Sequence, residues 1–144
     1  MDRQYVGIDF HRRRSVVVRM SAMGERLSSV RIPNDPVAIA AAVAEAGLDP
    51  EVVVEATYGW YWVVDLLQAN GARVHLANPQ GLNWGQRRVK NDERDAIDLA
   101  DMVRLGRLPE AWIAPPAVRE LRELVRYRAK LVGVGWGSRP RCRR

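Results

Sequence analysis

The order of hydrophobic periods constrains this chain more than any single residue does. Three strand-like runs follow one another through links too short to hold a helix, and only afterwards do strand-like and helix-like segments alternate. Residues 4–9 (QYVGID) and 15–20 (SVVVRM) read as the first two strands and 24–32 as the third, with Ala22-Met23-Gly24 as a turn. Links this short permit only antiparallel pairing. Asn34 or Asp35 can then cap a helix that carries Pro36 in its first turn. Val37, Ile39, Ala40, Val43 and Ala44 form its apolar face, and it should stop near Gly47. Glu51–Glu55 (EVVVE) reads as a short buried strand, 58–70 as a helix closed by Gly71, and Arg73–Ala77 as another strand. That β-α-β alternation calls for parallel pairing.

Farther along, Asn78-Pro79 restarts a helix through about Arg88, Lys90-Asn91 breaks it, and Asp92 opens the next, which runs to about Leu105. Pro109 and Pro115-Pro116 mark a linker. Val118, Leu121, Val125 and Val132 approximate the a/d spacing of a coiled-coil arm, although two heptads also suit a helix packed on its own domain. After Val132 the composition turns abruptly to glycine and arginine and reads as a disordered basic tail. The expected organisation is one α/β domain over residues 1–115, the start of an arm helix over 116–132, and the tail over 133–144.

Charge is distributed unevenly. The formal net charge is +6, but residues 1–115 hold 14 Lys and Arg against 15 Asp and Glu, while residues 116–144 hold 9 against 2. The body can therefore meet phosphates only through local clusters, such as Arg12-Arg13-Arg14 and Arg87-Arg88-Val89-Lys90. A single cysteine, Cys142, excludes an intrachain disulfide and a cysteine-based zinc site. No uncharged apolar run reaches the ~18 residues of a membrane span, so a soluble, cytoplasmic protein is expected.

Three antiparallel strands, a helix and then parallel strands flanked by helices is the order of an RNase H-like fold, a mixed five-stranded sheet with its first strand central. Ligands of such open sheets gather beyond the carboxyl ends of strands, at the switch in strand order. Asp9 and Glu55 end strands there, and a helix opening at Asp92 and Asp95 can bring two more carboxylates to the same edge. Phosphodiester chemistry uses such a set, because a pair of Mg²⁺ ions ~4 Å apart clamps the attacking and leaving oxygens and is held by hard oxygen ligands. Each acid also has an ordinary explanation. Asp9 suits a turn, and Glu55 simply ends an apolar run. Asp92 and Asp95 suit a helix cap, N-cap with an acid at N3. Asp98 and Asp101 continue the spacing, so spacing does not choose the fourth ligand.

Val6-Gly7-Ile8-Asp9-Phe10-His11, Val54-Glu55-Ala56-Thr57-Tyr58-Gly59 and Lys90-Asn91-Asp92-Glu93-Arg94-Asp95-Ala96 together resemble the N-terminal domain of the DEDD transposases of bacterial insertion sequences. The similarity covers about residues 4–132, and the Lys-Asn-Asp-x-x-Asp-Ala segment is its most specific part. The resemblance implies a RuvC-like fold and a catalytic, metal-binding tetrad of Asp9, Glu55, Asp92 and Asp95, preferring Asp95 to Asp98. It implies two Mg²⁺ or Mn²⁺ ions, DNA and a structured guide RNA as partners, and DNA strand cleavage and transfer. Similar transposases continue through a coiled-coil arm into a second domain with an attacking serine. Here resemblance ends after Arg126-Tyr127-Arg128-Ala129-Lys130-Leu131-Val132. A truncated domain, inactive alone and able to self-associate through its last helix, is the expectation.

Around the acids, His11 suits a proton shuttle, a phosphate contact or a surface histidine, and His75 a strand residue. Tyr58, Trp60, Trp62 and Trp84 suit base stacking or helix packing, and Arg87, Arg88 and Lys90 suit guiding a phosphate backbone. An actin-like ATP-binding half shares the strand order, but it wants glycine after its first-strand Asp, and Phe10-His11-Arg12 offers none. A non-catalytic nucleic-acid-binding remnant is the other alternative.

Overall fold

The computed structural model describes residues 3–82 and 91–137, with side chains as far as residue 133. Arg87, Arg88 and Lys90, expected to contact nucleic acid, lie outside the described residues, as do Trp84 and Cys142. Two compact units are formed, Met1–Trp112 and Ile113–Arg144.

In the first unit, β1 (Tyr5–Phe10), β2 (Arg14–Met20), β3 (Arg26–Pro33), β4 (Glu51–Glu55) and β5 (Arg73–Ala77) build one sheet in the order β3-β2-β1-β4-β5. β2 runs antiparallel to β1 and β3, whereas β4 runs parallel to β1 and β5. Hairpin-length links enforce the first pattern. The helix between β3 and β4 and that between β4 and β5 permit the second. Residues 109–111 shield the outer edge of β5: Asn78 N–H donates to the Pro109 carbonyl at 2.7 Å and Ala111 N–H to that of Leu76 at 2.7 Å.

Side chains alternate across a strand, so β1 sends Val6, Ile8 and Phe10 to one face and Gly7 and Asp9 to the other. Helices α1 (Pro36–Ala44) and α2 (Trp60–Ala69) cover the first face. There Val6, Ile8, Val17, Ile39, Val52, Val54, Val63 and Leu67 are fully buried, each contributing about 1.5–3 kcal/mol relative to exposure. Helix α3 (Asp92–Arg104) covers the second, where Ala96 packs on Val16 and Val18, and Leu99 joins Val53 and Ala77.

Local chemistry adjusts the expected elements. Asp35, rather than Asn34, caps α1, its Oδ1 accepting from Val37 N–H at 2.9 Å and Ala38 N–H at 3.0 Å. The buried side of α1 is Ile39, Ala42 and Val43. Val37 is 77% exposed, because two residues of helix rotate it about 200° away from Ile39. Gly59, with φ +84°, turns the chain so that α2 begins at Trp60 and not at Tyr58. Asn78-Pro79 starts only a 3₁₀ turn at Pro79–Gly81, and the remainder of that expected helix lies outside the described residues.

The second unit is built on helix α4, Pro116–Gly137. Leu121, Leu124, Val125, Tyr127, Leu131 and Val132 on it are 50–67% exposed. Among the described residues no helix is long and apolar enough to cross a membrane.

Candidate metal centre

The carboxyl end of β1 and the amino end of α3 meet at one edge of the sheet. Asp9, the second-last residue of β1, shares its face with Gly7 and is 3% exposed. Alternation that makes Ile8 and Phe10 core residues thus carries Asp9 beneath α3. Asp92 is the first residue of α3, and its carboxylate reaches toward Asp9.

The N-cap of α3 is Asn91, whose side-chain oxygen accepts from Glu93 N–H at 3.0 Å and Arg94 N–H at 3.4 Å. This corrects the expectation that Asp92 caps the helix. Asn91 meets the orphan amides, so Asp92 is not engaged as the cap.

His11 completes the cluster from the β1–β2 turn. Its Nε2 lies 2.9 Å from Asp9 Oδ2 and 3.3 Å from Asp92 Oδ1. One donor atom from each of the three lies within 4.8 Å of the others. Asn34 holds this turn in place: its backbone N–H donates to the Arg13 carbonyl at 3.2 Å, its side-chain amide donates to the His11 carbonyl, and its Oδ1 accepts from Ser15 Oγ at 2.6 Å. Arg31 Nη2 stands 4.0 Å from Asp92 Oδ2 at the rim.

Electrostatics favour a cation here. Two carboxylates within 4.8 Å of each other repel by roughly 3.5 kcal/mol at an effective dielectric of 20. The partial positive charge of the α3 amino terminus and Arg31 offset part of that repulsion. The donor set, two carboxylate oxygens with an imidazole nitrogen, fits a divalent ion: the oxygens suit Mg²⁺ or Mn²⁺, and the nitrogen extends the range to softer metals.

Glu55 and Asp95 stand in adjoining positions. Glu55 ends β4 one residue beyond Val54, just as Asp9 follows Ile8, and Ile8 pairs with Val54. It is half-buried. Asp95 is 4% exposed, one turn into α3 beside Ala96. Among the described residues, neither joins the group of three within 4.8 Å. His11, whose place two positions after Asp9 put it near the acids in the sequence but left its role open, is the third member of the group.

A second cluster occupies the opposite edge. His75 on β5 contacts Glu51 through Nε2 and Glu110 through Nδ1, the latter at 2.9 Å. Arg3 and Arg73 approach Glu51 Oε1 at 3.1 and 3.3 Å. Glu51 is 7% exposed, and such a buried charge requires partners of this kind. His75 is a strand residue as expected, with an ionic role that its sequence position did not reveal.

Comparison with known proteins places this geometry in context. The family model DEDD_Tnp_IS110, described as "Transposase", matches residues 6–135. No curated protein gives a significant match. Among solved structures, the chain is similar to T. thermophilus RuvC in complex with Holliday junction substrate, with a TM-score of 0.50 and 17% identity over 76% of this chain and 99% of that one. At that identity the likeness speaks to fold alone, and the architecture observed is the RNase H-like one expected from the strand order, in the RuvC-like form that the resemblance implied. Since the family model spans nearly the whole chain, and with it all four of the expected acids, this protein belongs to the family of IS110-type DEDD transposases.

Proposed function

We propose that the Met1–Trp112 unit is the catalytic-type domain of a DNA transposase, and that it binds Mg²⁺ or Mn²⁺ through Asp9, Glu55, Asp92 and Asp95 to cleave and transfer DNA strands. The observation that carries this reading is the convergence of Asp9, His11 and Asp92 within 4.8 Å at the switch edge of the sheet. A divalent ion there supplies positive charge to a scissile phosphate and to the oxygens that attack and leave it.

The chain's own residues prepare for that role. Asp9, buried on the central strand, is a fixed anchor, since moving it means disturbing β1. Asp92 approaches from a different element, so the pair can tighten around a cation by a small movement of the α3 amino end. Glu55 on β4 supplies a carboxylate from the neighbouring strand, and Asp95 one from the next turn of α3. His11 would hold Asp9 and Asp92 in place or take a proton near the reacting phosphate. Arg31 would contact the DNA backbone beside Asp92.

A structured guide RNA and self-association through the exposed apolar side of α4 complete the proposal, as does a basic approach through Arg87, Arg88 and Lys90. The deciding experiment is thermal unfolding with Mg²⁺ or Mn²⁺, alongside cleavage of branched DNA by the same chain. Cation-dependent stabilisation that disappears in Asp9→Asn and Asp92→Asn supports the metal site. Stabilisation that survives both substitutions rejects it.

A further inference from the structure

Beside the acidic cluster a cavity of about 310 Å³ opens between the β1–β2 turn and the start of α2, with His11 belonging to both. Its walls include Phe10, Arg12, Tyr58, Gly59 and Trp62. Phe10 and Trp62 meet edge to face, with ring centroids 5.7 Å apart, so one aromatic wall is rigid. Tyr58 at the rim is 94% exposed. It takes no part in helix packing, which was one of its two expected roles. Arg12 and Arg13 are exposed and form no ion pair with another described residue. Asn34, itself a lining residue, ties down the turn that carries them.

Aromatic walls, a free phenol ring at the mouth and unneutralised guanidinium groups are the complement of one nucleotide: a π-face to stack on and a phosphate to pair with. The cavity falls at the lower end of the ~300–1,000 Å³ range of small-molecule sites. Its position beside His11 and Asp9 sets such a nucleotide within a short reach of the acidic cluster. We infer that this pocket receives one unstacked base of a single DNA strand, with Arg12 and Arg13 on its phosphates, and so holds the strand in register with the Asp9–Asp92 site. The commitment to DNA rests on the function proposed above; the pocket itself rests on its aromatic and cationic lining.

The test is fluorescence anisotropy of the full chain, in chelator, with a short labelled thymidine oligomer and an abasic oligomer of equal length. Tyr58→Ala should weaken binding of the thymidine oligomer by about fivefold or more, while leaving the abasic oligomer unaffected. Arg12→Ala should weaken both. Tyr58 is solvent-exposed, so its loss does not threaten folding, and thermal melting of each variant checks this. Equal binding of the thymidine oligomer by wild type and Tyr58→Ala overturns the pocket, as does an equal loss for both oligomers. A uridine oligomer bound more tightly than the thymidine one overturns the assignment to DNA. Because chelator removes any cation, failure here leaves the metal reading intact, and failure of cation titration leaves this result intact.

Discussion

Gly7 on β1 and Ala96 on α3 touch backbone to backbone: a Cβ on Gly7 would lie 1.9 Å from the Ala96 carbonyl oxygen and 2.9 Å from the Ala100 amide nitrogen. No side chain fits between this strand and this helix. Close approach is what brings the first turn of α3 over Asp9, two residues along the same face, so the glycine sets the depth of the candidate metal centre.

Gly7→Ala must push α3 outward or bend β1. We expect a loss of about 2–3 kcal/mol, as for an overpacked core, measured by chemical denaturation. The cation-dependent rise in melting temperature should shrink as well, since Asp92 moves with α3. A variant as stable as wild type would show that the contact yields freely.

Removing one acid of the close pair should separate cation binding from folding. Asp92→Asn relieves the repulsion with Asp9, which exceeds the loss of about 1 kcal/mol from removing charge at the helix amino end, so cation-free stability should hold or rise, by up to roughly 2.5 kcal/mol. Stabilisation by Mn²⁺ should vanish, and isothermal titration would read its affinity directly.

Asn91 caps α3 next to the site. Asn91→Ala should cost about 1 kcal/mol, and by fraying the first turn it should weaken Mn²⁺ binding although Asn91 is not itself a proposed ligand. Asn91→Asp or Asn91→Ser should restore stability. If Asn91→Ala binds Mn²⁺ like wild type, the cap does not position Asp92.

His75→Ala removes the bridge between Glu51 and Glu110 at the far edge of the sheet. Stability should fall by about 1–2 kcal/mol, with cation titration unchanged, since His75 lies on the edge strand β5, separated from Asp9 on β1 by β4. An altered cation response would couple the two edges.

The exposed apolar side of α4 should support self-association. Leu121→Glu with Val125→Glu should shift the chain to monomer in sedimentation equilibrium without altering the melting of the Met1–Trp112 unit. A wild-type chain that is monomeric at high concentration would reject that role.

Much of the fold was legible because local period and topology agree. Glu51–Glu55 and Arg73–Ala77 are strands residue for residue, since short apolar runs between turn signals have few other ways to bury themselves. Alternation along β1 made Asp9 a non-core residue at a strand end, and the β-α-β order put Glu55 at the matching position. Helix phase was less legible: Val37 counted as core by composition, yet the start dictated by Asp35 and Pro36 turns it to solvent. The cap of α3 was misplaced by one residue because Asn91 and Asp92 have similar capping preference, and only the direction of the side chains separates them.

The sequence by itself determined the strand order, the central position of β1, the candidate acids and, through its motifs, the family. Tertiary structure alone decided that Asp92 meets Asp9 and His11, that Asn34 locks the turn between them, that His75 bridges Glu51 to Glu110, and that Phe10, Arg12, Tyr58 and Trp62 line one open cavity. These pairings join segments distant in the chain. Local periodicity records which face a residue occupies, but the separation of two faces depends on how closely helix and sheet can pack, and here that is set by the bare backbone at Gly7.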